Sequence, residues 1–322
     1  MPHFVRRALV AGFALALAAP AALAQTWPAK QIRIIVPYTP GGSSDIIARA
    51  IQQPLQDALK QTVIVENKPG ANGNTGTDFV AKSPPDGYTI LLCDVGALAI
   101  TSSVYSKLPF DPAKDLVGIT MLAYSPHLLV VHPSVAANNL KELVAYSKTG
   151  KLDFAVTAIG SAPHLAGVAV EKATGAKWVY IPYKGGSQAI GDTVAGQTQV
   201  LMNGMLATLP FVQSGKLKVL GVSKSTRVPL LPNVPTIAEQ GVAGFESGTW
   251  QGVLLPKGTP PEIVAKLNAE LTRIIRSPEV RSRLTAQGAE VYTMTPTEFS
   301  AFFDREQKRW ATVVAAGGVK LD

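Results

Sequence analysis

The sequence has little cysteine and little histidine. Its 322 residues include one cysteine, Cys93, and four histidines. A lone thiol closes no internal disulfide, and a mature chain of about 300 residues buries core enough without one. Cys93 follows Leu91 and Leu92 and reads as a buried structural thiol. It lies too far from the N-terminus to be a lipoprotein anchor. The scattered histidines form no HExxH, and a single cysteine forms no CxxC, so neither a metal site nor a cofactor is expected. Basic residues number 30 against 22 acidic ones, a net charge of +8, but they are dispersed. That excludes the clustered stripe of a nucleic-acid binder. After the N-terminal segment no apolar run of 18 or more residues follows, so no further span of a bilayer is expected.

What the N-terminus does have is an export signal. Arg6 and Arg7 form a positive n-region, Ala8 to Ala19 an apolar stretch too short for a comfortable span, and Ala22-Leu23-Ala24 a small-x-small cleavage site. Cleavage is expected after Ala24, by the general secretory route. Residues 1–24 are thus read as a signal peptide, and the mature protein as soluble outside the cytoplasm. Removing Arg6 and Arg7 leaves 28 basic against 22 acidic residues, or +6, a balance that suits a small acidic ligand.

Strand-like and helix-like patterns alternate along the rest of the chain, which predicts an α/β architecture with largely parallel sheets. Ile32 to Val36 reads as a strand and Ser44 to Leu59 as a helix. Between them, YTPGGSSD holds Gly41-Gly42 and the capping candidates Ser43, Ser44 and Asp45. Strand, glycine turn and capped helix together make an anion cradle, since free N–H groups and the helix dipole point into the turn. The turn has no GK[ST] and is not GxGxxG, so it is no nucleotide loop. Two later turns repeat the pattern, IGSAPH at Gly160-Ser161 and YKGGSQA at Gly185-Gly186. In open α/β sheets such turns gather at the carboxyl ends of strands, where ligands bind. Three of them suggest a cleft walled from both sides. Apolar runs at Leu116 to Tyr124 and Leu128 to Val131 follow the first unit, and amphipathic helices are expected at Glu262 to Ile275 and Pro296 to Ala315. The expected division is a discontinuous first lobe, 25–124 and 245–322, with a second lobe, 125–244, inserted into it.

The motifs WPAKQIRIIVPYTPGGSSDIIAR, VIVENKPGANGNTGTDFVAKSPPDGYTILL, FAVTAIGSAPHLAG, YIPYKGGSQAIGDTVAGQTQVLM and GKLKVLGVSKSTRVPLLPNVPTIAEQG, then WQGVLLPKGTPPEIVAKLN, occur in this order. They resemble the Bug family, the periplasmic solute-binding receptors of tripartite tricarboxylate transporters. The resemblance runs nearly end to end after the signal. It implies a two-lobe Venus flytrap fold in the periplasm, closing on a small organic carboxylate and passing it to membrane permease subunits, with no catalysis and no nucleic-acid partner. The receptor is expected to be a monomer. Mapped residue by residue, the implied ligand contacts are Tyr38, Gly41, Gly42, Ser43 and Ser44 from one lobe. From the other they are Gly160, Ser161, His164, and the segment Tyr183 to Ser187 with Gly185 and Gly186. Asn203 departs from the acidic or small residue frequent after GQTQVLM. An amide both donates and accepts, so it leaves ligand identity open.

Other readings stay on the table. Ser161 and His164, three apart at a helix start, would suit a nucleophile and its base in a secreted serine hydrolase. IGSAP is not GxSxG, however, and the sequence places no acid to orient His164. A receptor that feeds a sensory pathway instead of transport would look the same. Lys184 suits either a ligand carboxylate or solvent. Tyr38 and Tyr183 suit the cleft wall or the core, as does Trp250. Asp94, at the end of YTILLC, suits an ammonium group or a cap on the next segment.

Overall fold

The computed structural model describes residues 27–321; the expected leader, residues 1–24, lies outside them. Strand β1 (Ile32–Val36) carries IRIIV, and all but Arg33 are buried. A strand covered on both faces needs such an unbroken apolar run. Helix α1 (Ser43–Leu59) follows the glycine turn and runs through Pro54. Strand β2 (Val63–Asn67), helix α2 (Asn74–Ala81) and strand β3 (Thr89–Asp94) complete the first unit, in which β1 pairs β2 and β3 in parallel.

Strand β4 (Leu116–Val131) joins the two apolar runs into one 16-residue strand. It pairs antiparallel with β9 (Gly248–Pro256) as far as Pro126, and from His127 onward with β7 (Val200–Gly204). Proline donates no ladder bond, and here it stands where the strand changes partner. Between β4 and β9 come α3 (Leu140–Ser147), β5 (Asp153–Val156), α4 (Ala162–Thr174), β6 (Val179–Pro182), α5 (Gly186–Val194), β7, α6 (Met205–Gln213) and β8 (Lys218–Val222). After β9 come α7 (Pro261–Arg276), α8 (Pro278–Thr285), the two-residue β10 (Glu290–Val291) and α9 (Pro296–Gly317). In α7 the buried positions Ile263, Val264, Leu267, Leu271, Ile274 and Ile275 make one stripe at helical spacing. A capping box at Thr295 and Glu298 starts α9.

The strands order as β2-β1-β3-β9-β4-β7-β5-β6, with β8 and β10 also on β4. The expectation of largely parallel pairing needs correction. β5 pairs β6 and β7 in parallel, but β4 and β9 run antiparallel to every strand they pair with. These two long strands carry the chain out of one unit and back again. Buried apolar side chains divide accordingly. One cluster draws mainly on residues before Tyr124 and from Trp250 on, while two smaller ones draw on the chain between Leu128 and Phe245. The molecule is a two-lobe α/β protein whose lobes share β4 and are joined again by the segment leading into β9.

Among the described residues no helix is long and apolar enough to cross a membrane. Among the same residues no three His, Cys, Asp or Glu side chains are grouped to hold a metal ion.

Candidate functional site

The turn after β1 is locked before any ligand is considered. Gly41 has φ +86, a left-handed conformation that glycine adopts without strain. Its N–H donates to Asp45 Oδ2 at 2.9 Å. Arg49 Nε donates to the same oxygen at 2.9 Å, and Asn67 Nδ2 donates to Asp45 Oδ1 at 3.0 Å. Burial pushes the Asp45 carboxyl up, but the bonds from Arg49, Gly41 and Asn67 outweigh it and hold the group below its ordinary range. Asp45 therefore clips the turn, while Gly42 stands at the N-cap of α1 without a capping side chain. The first-turn amides of α1, Ser43 and Ser44 among them, have no acceptor within the helix.

Two further helices begin at the same place. Ser161 caps α4, its Oγ accepting from His164 N at 3.4 Å and donating to Ala158 O at 2.7 Å. Gly185 is the N-cap of α5, again with no capping side chain. The starts of α1, α4 and α5 converge on one cavity of about 30 Å³. Tyr38, Gly42, Ser43, Ser44, Asn72, Asp94 and Thr249 line it from one lobe, and Thr157, Ser161, Ala162, Pro163, Gly186 and Asn203 from the other. No lysine, arginine or histidine is among these lining residues. The positive ends of three helix dipoles face the space, so an anion is stabilised there without a cationic side chain.

The lobes touch across this cavity. Thr39 Oγ1 and Ser187 Oγ share a hydrogen bond of 2.8 Å, and Asn72 Nδ2 donates to Gly160 O at 3.3 Å. A Cβ at Gly185 would lie 2.0 Å from Thr39 Oγ1, and one at Gly160 would lie 2.7 Å from a Val104 methyl. Both glycines thus permit close approach of the lobes. This is a closed arrangement.

Of the residues expected from the sequence, Tyr38, Gly42, Ser43, Ser44, Ser161, Gly186 and Asn203 come together on the cavity wall. Gly41, Gly160, His164, Tyr183 and Gly185 are not on that wall. Gly41 and Gly160 shape their turns, and Gly185 faces Thr39. His164 turns inward, its ring edge-on to Tyr180 and its Nδ1 accepting from Gly160 N at 3.1 Å. Burial pulls its imidazole down to about 4, so it is neutral at physiological pH. Tyr183 turns back to its own lobe and donates to Asp192 Oδ2 at 2.8 Å. Lys184 is exposed, and Trp250 is buried against Phe299, Phe302 and Phe303.

Asn72, Thr157, Ala162, Pro163 and Thr249 were not expected on the wall, and Asp94 was read only as an ammonium partner or a cap. Asp94 does cap its loop, accepting from Gly96 N at 2.8 Å through Oδ1. The same oxygen accepts from Tyr38 OH at 2.6 Å. Burial pushes the Asp94 carboxyl up to about 6, although both bonds favour the ionised form. Asn72 has φ +55, which asparagine tolerates better than most side chains, and this turn carries it to the cleft.

Two lobes joined through β4 and the segment leading into β9, with helix starts from both facing one interlobe cavity, define a solute-binding protein of the periplasmic class. The chain belongs to the tripartite tricarboxylate transporter family receptors, whose family model matches residues 47–319. It is similar to Protein BugT of Bordetella pertussis, with 40% identity over 308 residues covering 95% of this chain and 94% of that protein. Among solved structures it is similar to R. palustris Rpa4515 with adipate, at 32% identity and a TM-score of 0.88, covering 91% of this chain and 99% of that one. It is also similar to MatC (Rpa3494) from Rhodopseudomonas palustris with bound malate, at 30% identity and a TM-score of 0.85, covering 89% and 100%.

Proposed function

We propose that the protein binds a small organic carboxylate between its lobes and delivers it, in the closed form, to a membrane permease. The observation that carries this reading is the convergence of three helix N-termini, drawn from both lobes, on one cavity with no basic side chain on its wall. Carboxylate oxygens accept from the first-turn amides of α1, α4 and α5. Because donors come from both lobes, the ligand binds the closed form better and shifts the hinge equilibrium toward it. Adipate and malate on the two similar structures are consistent with a carboxylate here.

The proposed lobes are 25–124 with 245–322, and 125–244. Their boundaries lie close to Pro126 and Gly248, which pair at the end of the β4–β9 ladder, where β4 leaves one apolar cluster for the others. The proposed site is Tyr38, Gly42, Ser43, Ser44, Ser161, Gly186 and Asn203, with Asn72, Asp94, Thr157 and Thr249 added. The protein acts as a monomer, exported to the periplasm by cleavage after Ala24. It catalyses no reaction: Ser161 Oγ gives its proton to Ala158 O, and His164 Nδ1 is taken by Gly160 N–H, so the two do not form a nucleophile and base.

A thermal-shift screen of mono- and dicarboxylates, followed by calorimetry, tests the reading. An acid present at about 100 times its Kd adds about 2.7 kcal/mol of stability. Saturable one-to-one binding without product is expected. Turnover of a bound acid or ester, or binding only to uncharged solutes, would overturn it.

A further inference from the structure

The carboxylate reading explains the donors around the cleft but not its acceptors. Asp94 lines the cavity, and its Oδ1 is taken by Tyr38 and Gly96. Its other oxygen, Oδ2, has no hydrogen-bond partner among the described residues. Asn203, on the opposite wall, donates through Nδ2 to Thr208 Oγ1 at 3.3 Å, which leaves its Oδ1 as a free acceptor. Gln251 stands directly opposite Asp94 in the β3–β9 ladder, so the two side chains share a face of the sheet. It is fully buried, and its Oε1 has no partner. Two acceptor oxygens on the cavity wall, Asp94 Oδ2 and Asn203 Oδ1, therefore lack a protein donor, and one belongs to a carboxylate; Gln251 Oε1 is buried but off that wall. A carboxylate oxygen and an amide oxygen left open on one cavity wall are matched by a ligand that supplies donors.

We propose that Asp94 is a specificity residue that selects a ligand carrying a cationic nitrogen in addition to its carboxylate. The inference rests on the carboxylate reading of the same cleft. An ammonium group brings three N–H donors and one positive charge, and no acceptor. It answers the two open oxygens on the wall and the Asp94 charge together. A second carboxylate brings only acceptors and a like charge, and Asp94 opposes it. The carboxylate of the ligand lies at the helix starts, and its cationic nitrogen lies toward the end of β3. The ligand class is thus a small amino acid or other zwitterion, not a simple diacid.

Titration calorimetry on the purified protein tests this with three matched pairs. β-Alanine is set against succinate, γ-aminobutyrate against glutarate, and 4-(aminomethyl)benzoate against terephthalate. In each pair a carboxylate replaces the ammonium-bearing end. At least one amino compound is expected to bind tenfold or more tightly than its diacid partner. Asp94→Asn keeps an acceptor for Tyr38 and Gly96 but removes the charge. It is expected to reverse or abolish that preference, weakening the amino compound thirtyfold or more while leaving the diacid equal or tighter. Tighter binding of the diacids by the wild type would overturn the proposal, as would an unchanged preference in Asp94→Asn. The wild-type preference decides the matter if the variant does not fold. Absence of heat with all six acids overturns the carboxylate reading itself, a result distinct from either of those.

Discussion

Gly185→Ser isolates lobe closure from lobe folding. Gly185 has φ 174, extended backbone open to any residue, and serine is a good N-cap, so α5 and its lobe tolerate the change. Across the cleft the situation is different. The new Cβ would lie 2.0 Å from Thr39 Oγ1 and 2.8 Å from Thr39 N. The second atom is backbone and does not rotate away. Thr39 Oγ1 can rotate aside, but the pair with the backbone N reaches an ordinary contact of 3.4 Å only if the lobes part by about 0.6 Å at this point. The 2.8 Å bond between Thr39 and Ser187 is then lost, and hydrogen bonds from one lobe to a ligand held by the other are lost with it. Two such bonds, at about 1 to 1.5 kcal/mol each, amount to about 2 to 3 kcal/mol. Calorimetry should show Kd weakened roughly 30- to 150-fold, while unfolding of the unliganded protein stays within about 1 kcal/mol of wild type. Wild-type affinity in Gly185→Ser would refute the argument that binding needs the closed arrangement.

Asp45→Ala strips acceptors from Gly41, Arg49 and Asn67 and should cost about 2 to 4 kcal/mol in denaturant unfolding. Because the Asp45 carboxyl is held low in the fold, its contribution is present above about pH 4, the ordinary aspartate value, and fades as pH falls further. Ser161→Ala removes the cap of α4 and should cost about 1 kcal/mol of stability while changing Kd less than about threefold, since its hydroxyl proton is committed to Ala158 O. His164 and His127 are held neutral by burial, with values pulled down to about 4 and about 3. Unfolded histidine binds a proton near pH 6.5, so stability should fall as pH drops from 7 to 5, by about 2 kcal/mol for each histidine at pH 5. Asp94, pushed up to about 6, offsets part of this by taking up a proton in the fold, so Asp94→Asn should steepen the fall.

The three strand–turn–helix corners were legible because each carries its own local signal. An apolar run, one or two small residues and a helix start occur together at Gly41-Gly42, Gly160-Ser161 and Gly185-Gly186. The alternation of strand and helix was legible for the same reason. What the sequence did not reveal depends on contacts made far along the chain. The segment GTWQGVLLP became the central strand β9, but glycines break its pattern and both faces are buried, so no alternation marks it. Ser125-Pro126 looked like a break in β4 and is the point where one strand changes partner. Asn72 lies in ENKPGANGNTG, which carries no apolar periodicity, and only the approach of the other lobe brings Gly160 O to it. Its signal was the pair of glycines at 70 and 73 framing an asparagine suited to a left-handed turn. His164 and Tyr183 had plausible chemistry in sequence, but Tyr180, Gly160 and Asp192 draw them away from the cleft. Of the two readings of Asp94, the cap is the one observed, with Oδ1 accepting from Gly96 N.

A crystal structure of the protein with the acid that binds most tightly in calorimetry tests the central claim most directly. The account predicts a carboxylate group within hydrogen-bond distance of Ser43 or Ser44 amides of α1 and of at least one first-turn amide of α4 or α5, with no basic side chain in contact. A carboxylate seated outside the interlobe cavity, or held by one lobe alone, would contradict it.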